Sequence, residues 1–535
     1  MIRYQNPNQL SLVDYDWPFQ NGLDQNNRWV KLSQCIPWES LADRYFQSFK
    51  TLATGRPAKD ARLVIGAVII KHKLNLSDRE VVAQIQENPY LQYFVGLPGY
   101  QSAEPFAPSL LVEIRKRMGQ SVFDGFQQAI VDAVEERKRV IERDDKATDP
   151  DDEPPSSSVR DGGVQGELLE DAPQEKKEGK LIIDATVAPQ AIRYPTDLSL
   201  LNEAREFTEQ IIDTLYECSE KNGRKPRTYR VKARKAYLAI AKQKRPGSKV
   251  RRKGVKQQLQ YLRRNLRHIE ELLTHWPEGE AVPLPDWLMR RYWVIPHLYA
   301  QQKAMYDSNT KRCDNRIVSI SQPHVRPIVR GKQDKPVEFG AKLSVSLTAD
   351  GVACVDRVSW DAYHEGHDLV AQVERYRERL GHYPEAVYAD PAYGSRDNRR
   401  YLKQRGIRFA GKPLGRPKKE TEENREALKQ EKAQRQADYR QRIPIEGKFG
   451  QGKNGYRLNY IRAKRADTSV AWINSIFLVM NLAILLQIFF ARVKSATRYG
   501  WIGTSLSFVT KTLSWHLRFG QRFGAIRGFG LKFCF

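Results

Sequence analysis

Three carboxylates stand out by their settings. Asp184 lies in KLIIDATV (residues 180–187), a short β-branched run that reads as a buried strand. Asp390 ends the run EAVYAD (residues 385–390), directly before Pro391, and reads as the C-terminal end of another strand. Glu446 follows Pro444 in RIPIEGKFGQGKNG (residues 442–455) and suits the first turn of a helix. Each also has a plain structural reading, as a strand-end residue, a turn initiator or a helix-dipole partner. Together they suit different chemistry. Two strand acids and one helix acid can meet at one edge of a sheet, where open α/β folds place their ligands. Carboxylates are the donors that hard cations such as Mg2+ or Mn2+ prefer. Two such ions about 3.5–4 Å apart would stabilise both the attacking and the leaving oxygen in displacement at a phosphodiester.

The elements around these acids are legible in outline. Residues 1–143 read as helical. Within them, DARLVIGAVIIKHKLNLSDREVVAQIQENPYLQYFVGL (residues 60–97) predicts two helices joined by a short turn, with Ser77 and Glu80 at capping-box spacing. That is the outline of a helix-turn-helix, although most such pairs serve packing alone. Residues 144–179 are rich in Asp, Glu, Pro, Ser and Gly and predict a disordered acidic linker.

Between the first strand and the later ones, about residues 197–308, lies a predicted helical insertion. From Lys221 to Ile269 it holds many Lys and Arg and no Asp or Glu. Leu259, Leu262, Leu266 and Leu273 mark one apolar face. A one-sign block of this length favours an anionic partner, and Arg251, Arg252, Lys253, Arg263 and Arg264 are candidate phosphate contacts. Strands resume from Pro336, with a hairpin around Ala349-Asp350-Gly351. The HEGHD cluster (residues 364–368) lacks the spacing of a zinc motif and reads as a loop or cap.

The net charge of +26 over 535 residues calls for a polyanionic partner, with nucleic acid first and an acidic membrane surface second. The five cysteines form no Cys-x2-Cys pair, so a structural zinc site is not expected and a reducing compartment is. No signal-peptide core opens the sequence, which predicts a cytoplasmic, nucleoid-associated protein. Ala471 to Ala491 is long enough to span a bilayer. Asn474, Asn481 and Gln487 interrupt it, so the expectation is a buried core helix and no membrane partner. The basic stretch 493–535 is read as a C-terminal tail.

The sequence resembles the insertion-sequence DDE transposases, in the branch marked by Tyr-x2-Arg-x3-Glu-x6-Lys (the IS-five and IS-eleven-eighty-two types). Tyr439, Arg442, Glu446 and Lys453 stand at those spacings. The segments IIDATVAPQAIRYPTD, AVYADPAYGS and RIPIEGKFGQGKNGYRL are similar to that family's three catalytic regions. The resemblance implies an α/β ribonuclease-H-like catalytic core over residues 180–492, behind a helical N-terminal DNA-binding region. It also implies that Asp184, Asp390 and Glu446 bind two Mg2+ or Mn2+ ions, and that Tyr439, Arg442 and Lys453 contact DNA. Transposon ends and target DNA would be the partners, a homodimer the acting form on DNA, and no small molecule the substrate. Helical offsets of three, seven and fourteen fall within a ~60° arc, so one helix face can present all four signature residues. Pro444, however, predicts a helix start that would leave Tyr439 and Arg442 on a preceding segment. Three rival readings remain: a nuclease with the same core that does not join strands, a non-catalytic DNA-binding derivative, and a membrane protein anchored by Ala471 to Ala491.

Overall fold

The structure is a computed structural model that describes residues 22–49, 58–147, 177–219, 224–277, 279–329, 337–416 and 421–499. Most of the acidic stretch 144–179 and the end of the basic tail lie outside the described residues. Residues 1–485 form one compact unit and residues 486–535 a second.

Among the described residues seven helices come first: α1 (Arg28–Cys35), α2 (Trp38–Phe46), α3 (Ala61–Leu74), α4 (Asp78–Glu87), α5 (Pro89–Phe94), α6 (Leu110–Arg117) and α7 (Gln120–Ala147). The two-helix outline is present as α3 and α4. Asp60 caps α3 by accepting from the Arg62 and Leu63 N–H groups. The capping box opens α4: the Glu80 N–H donates to Ser77 Oγ (3.3 Å), and the Ser77 N–H donates to the Glu80 carboxylate (2.6 Å). Every residue of α3 from Ala61 to His72 is buried, so α3 is an axis of this region, not a surface helix.

Burial of His72 has a measurable consequence. It packs edge-on against Trp472, 5.3 Å between centroids. Burial, helped by the Lys71 and Arg115 charges, holds its pKa well below the ordinary histidine range. The unfolded chain takes up a proton near pH 6.5 and the folded chain does not, so this stability is complete above that pH and is lost as pH falls. The midpoint of thermal unfolding is expected to drop between about pH 7.5 and 5.5, and His72→Gln to flatten that drop.

Six strands form one mixed sheet: β1 (Lys180–Pro189), β2 (Arg326–Val329), β3 (Val337–Leu347), β4 (Ala353–Ser359), β5 (Ala386–Tyr388) and β6 (Arg408–Ala410). The order is β2-β3-β1-β5-β6, with β4 also paired to β3. β1 is antiparallel to β3 and parallel to β5, and β5 is parallel to β6. This mixed arrangement agrees with the expected ribonuclease-H-like core. The predicted hairpin is β3–β4, with Gly351 at φ +81 in its turn.

Four helices lie between β1 and β2 in the chain: α8 (Asp197–Cys218), α9 (Arg230–Ala241), α10 (Ser248–Thr274) and α11 (Asp286–Asp307). Leu259 and Leu262 of α10 are buried against Leu200 and Leu201 of α8, with Leu266 partly buried beside them. Leu273 flanks the neighbouring cluster of Ile211, Ile212 and Ile269. The predicted leucine face is therefore the packing face, which leaves the basic residues outward.

α12 (Leu369–Leu380) and α13 (Arg396–Gln404) cover the sheet, where Leu181 and Ile183 of β1 meet Leu369, Val373 and Tyr376. α14 (Arg425–Gly455) and α15 (Ala466–Tyr499) are the final elements of the described residues.

α14 corrects the expectation drawn from Pro444. The helix continues through that proline. Pro444 removes one backbone hydrogen bond and crowds the preceding turn, but side chains on both sides of it hold the helix to the sheet. Asp438 accepts from Arg408 (2.9 and 3.0 Å), Gln441 accepts from Lys180 (2.7 Å), and Ile445 and Phe449 are buried. α15 is by length and composition able to cross a membrane, yet 78% of its apolar window is buried in the protein. Its asparagines have partners. Asn481 accepts from the Ala353 N–H (3.0 Å) and donates to the Ala353 carbonyl (2.8 Å), while Asn474 donates to Gln120 (2.8 Å).

Candidate active site

Strand register brings the two aspartates together. β1 pairs with β5 through Lys180↔Ala386, Leu181↔Val387 and Ile182↔Tyr388. Continuing this register two residues further places Asp184 level with Asp390 on the neighbouring chain segment. Adjacent strands lie about 4.8 Å apart. Asp390 has just left β5 and caps the short 3-10 turn Pro391–Tyr393, its carboxylate accepting from the Ala392 N–H (3.1 Å).

α14 supplies the third acid and a cation. Glu446 and Arg442 are one helical turn apart on the same face. The Arg442 guanidinium donates to the Asp390 carboxylate (2.9 Å) through one nitrogen and to the Glu446 carboxylate (2.7 Å) through the other. Asp184 also feels the Arg442 charge. Residues from β1, the end of β5 and α14 thus surround one guanidinium. Among the described residues, no three His, Cys, Asp or Glu groups stand together at metal-binding distance. Arg442 occupies the middle and balances the acids.

Asp184 is the inner acid. Burial, reinforced by the nearby Asp390 and Glu365 charges, pushes its pKa up to about 6 against the opposing pull of the Ala185 N–H and Arg442. The Asp390 and Glu446 side chains are roughly two-fifths to one-half exposed, and Arg442 only 16%. The site therefore opens to solvent on the side of the outer two acids.

Two residues here escaped the sequence reading. Glu365 lies close enough to raise the Asp184 pKa and is ion-paired with Lys342 of β3. Its signal was the HEGHD cluster. The structure folds that cluster into a 3-10 turn in which His364 accepts from the Gly366 N–H and buried Asp368 accepts from Ser344 (2.5 Å) and Arg357 (2.7 Å). The second is Tyr393. Its hydroxyl is buried without a hydrogen-bond partner among the described residues, and burial with the Asp184 and Glu365 charges raises its pKa. No spacing rule would have singled it out.

The signature residues share one face of α14. Tyr439 is exposed, with Arg442 5.7 Å from its ring centroid. Lys453 is half-buried, two turns beyond Glu446. Arg442 faces the acids. In the basic helices, Arg251, Lys253 and Arg263 stand exposed on α10. Arg252 is engaged internally, donating to Asn309 (2.7 Å) and lying over Tyr306, and Arg264 lies over Tyr229 and Tyr261.

Residues 387–483 match a family described as a transposase DDE domain, a span that includes Asp390 and Glu446 but not Asp184. Residues 18–117 match a second family, described as a transposase domain, across α1 to α6. The chain is 28% identical over 213 residues to an uncharacterized protein, ORF8 in the nfe locus of Rhizobium meliloti, covering 40% of this chain and 79% of that protein. No solved structure matches at a significant level. Two separate transposase-family models thus match this chain, one over the N-terminal helices and one over the segment carrying Asp390 and Glu446.

Proposed function

We propose that the protein cleaves DNA at the ends of an insertion sequence and joins the freed 3′ ends to target DNA, with Asp184, Asp390 and Glu446 as the catalytic acids. The observation that carries this reading is the convergence of these three carboxylates on the Arg442 guanidinium. An oxygen-only donor set that already gathers around positive charge suits hard divalent cations, Mg2+ or Mn2+. Asp184, Asp390 and Glu446 would hold them, and Arg442 would give up its carboxylates as they bind. Such ions supply charge stabilisation to the attacking and leaving oxygens of a phosphodiester.

The remaining roles belong to the chain. Half-buried Asp184 fixes the inner edge of the site, and the Glu365–Lys342 pair and Tyr393 border it. Asp390 and Glu446 face the open side, where a duplex can approach. Tyr439 and Lys453, with a released Arg442, present donors and a ring to the backbone beside the scissile bond. The exposed Arg251, Lys253 and Arg263 of α10 offer further phosphate contacts, and the protein acts as a dimer so that two ends are held together.

The test is incubation of the full chain with labelled duplex carrying the element's ends and a target plasmid, with and without Mg2+. Metal-dependent nicks followed by joined products are expected. Nicks without joined products would make it a nuclease, and neither product would leave a DNA-binding derivative.

A further inference from the structure

A small cleft lies where the turn between α3 and α4 meets the segment linking α14 to α15. Asn75, in the left-handed region at the end of α3, donates from its side-chain amide to the Gly455 carbonyl at the end of α14 (2.9 Å). The N-terminal helices and the helix that carries Glu446 are thereby fixed to one another at this point. Trp472 lines the cleft, with Lys71 Nζ 4.5 Å and the Arg115 guanidinium 5.5 Å from its ring centroid.

The acids near the cleft already have partners. Asp78 is held by Lys71 (2.9 Å) and by both terminal nitrogens of Arg115 (2.9 and 2.6 Å), and Glu80 caps α4. Arg457, Tyr460 and Arg462 line the cleft and are exposed. Neither arginine has a carboxylate within ion-pair distance among the described residues. Their charge is thus available to an external anion.

Arg457 sits at φ +55. Glycine holds that conformation without strain and arginine does not. Here that conformation closes α14, with the Leu458 N–H donating to the Gly452 carbonyl six residues back (2.9 Å), so the backbone turn leaves the side chain at the exposed helix end. The cleft also lies at the C-terminal end of α14, the end whose dipole repels anions, so an anion there depends on these basic side chains. Nine residues separate Glu446 from Gly455, about 14 Å along the helix, or roughly four base-pair steps of duplex. Lys453 lies between them on the face of Glu446.

We propose that this cleft binds a phosphodiester group of duplex DNA a few base pairs from the bond being cut, with Arg457 and Arg462 taking the phosphate and Tyr460 lying against the sugar. It rests on the functional reading above, and it places a DNA contact where the N-terminal helices meet the end of α14.

The experiment is fluorescence anisotropy of the full chain with a labelled duplex of about 30 base pairs, without divalent ions, from about 50 to 200 mM salt. Arg457→Gly keeps the backbone conformation, so thermal stability should be unchanged or raised. Its affinity is expected to fall about three- to tenfold, with the log–log salt slope shallower by about one. Arg457→Gly with Arg462→Gln should reduce the slope by about two, and Arg457→Lys should retain most of the affinity. Wild-type affinity and slope in Arg457→Gly and Arg462→Gln would overturn the proposal. A loss of stability in Arg457→Gly without a change in slope would do the same, because the arginine would then serve the helix end. If the wild type binds and Glu446→Gln stops cleavage while the cleft variants bind normally, the cleft assignment alone falls. If the wild type binds no duplex at any salt, the functional reading falls with it.

Discussion

Glu446→Gln is expected to lower the rate of DNA strand cleavage by about 10^3-fold or more while leaving duplex binding without divalent ions within about twofold. Loss of one cation ligand removes several kcal/mol of charge stabilisation, and each 1.36 kcal/mol is a factor of ten in rate. Asp184→Asn and Asp390→Asn should behave alike. The substitutions are close to isosteric, and the outer acids are partly exposed, so the fold should survive them. Single-turnover cleavage of an end-labelled duplex, paired with anisotropy on the same samples, separates chemistry from binding. Cleavage at the wild-type rate in Glu446→Gln would place the chemistry elsewhere.

Asn481→Leu should destabilise the protein by about 3 kcal/mol. The asparagine is fully buried on an apolar helix, and its amide satisfies both backbone groups of Ala353 at the start of β4. Leucine has a similar size but leaves a buried N–H and a buried C=O unpaired, each worth about 1–3 kcal/mol. The readout is a lower thermal midpoint with an unchanged far-ultraviolet spectrum at low temperature. A helix facing lipid would respond the other way, because leucine is preferred there. The same substitution therefore tests the placement of α15 directly.

The sequence displayed the acids but not the arrangement that unites them. β1 and β5 were visible because KLIIDATV and EAVYAD concentrate β-branched and aromatic residues between turn signals. Their register was not visible, and the register is what sets Asp184 level with Asp390. β2 and β6, at four and three residues, are too short to leave a period.

Pro444 misled for a definite reason. Propensity treats a helix in isolation, whereas α14 is held through Asp438, Gln441, Ile445 and Phe449 to other parts of the protein. Arg442 was legible as a signature residue, but its hold on Asp390 and Glu446 depends on that helix being continuous. Glu365 and Tyr393 reach the site through turns whose shape no local rule encodes. Asn474 and Asn481 were read as interruptions in an apolar run. They make polar contacts that dock α15, and Asn481 docks it to the sheet.

The bonds that tie the N-terminal helices to the rest of the protein span long stretches of chain. Asn75 reaches Gly455 across 380 residues, Gln120 reaches Asn474 across 354, and Arg137 reaches the Leu485 carbonyl across 348. At about 5–20 residues per second, a ribosome needs about 20 to 70 s to synthesise what lies between such partners. For that time part of the surface of α3 and α7 stands uncovered, including the place that Trp472 takes against His72. Contacts this distant also form late, since loop closure must precede them. Biogenesis of this protein is therefore governed by α15. A nascent chain that stops short of α15 leaves an N-terminal bundle with exposed apolar surface, a substrate for chaperones and proteases and not a free-standing DNA-binding fragment.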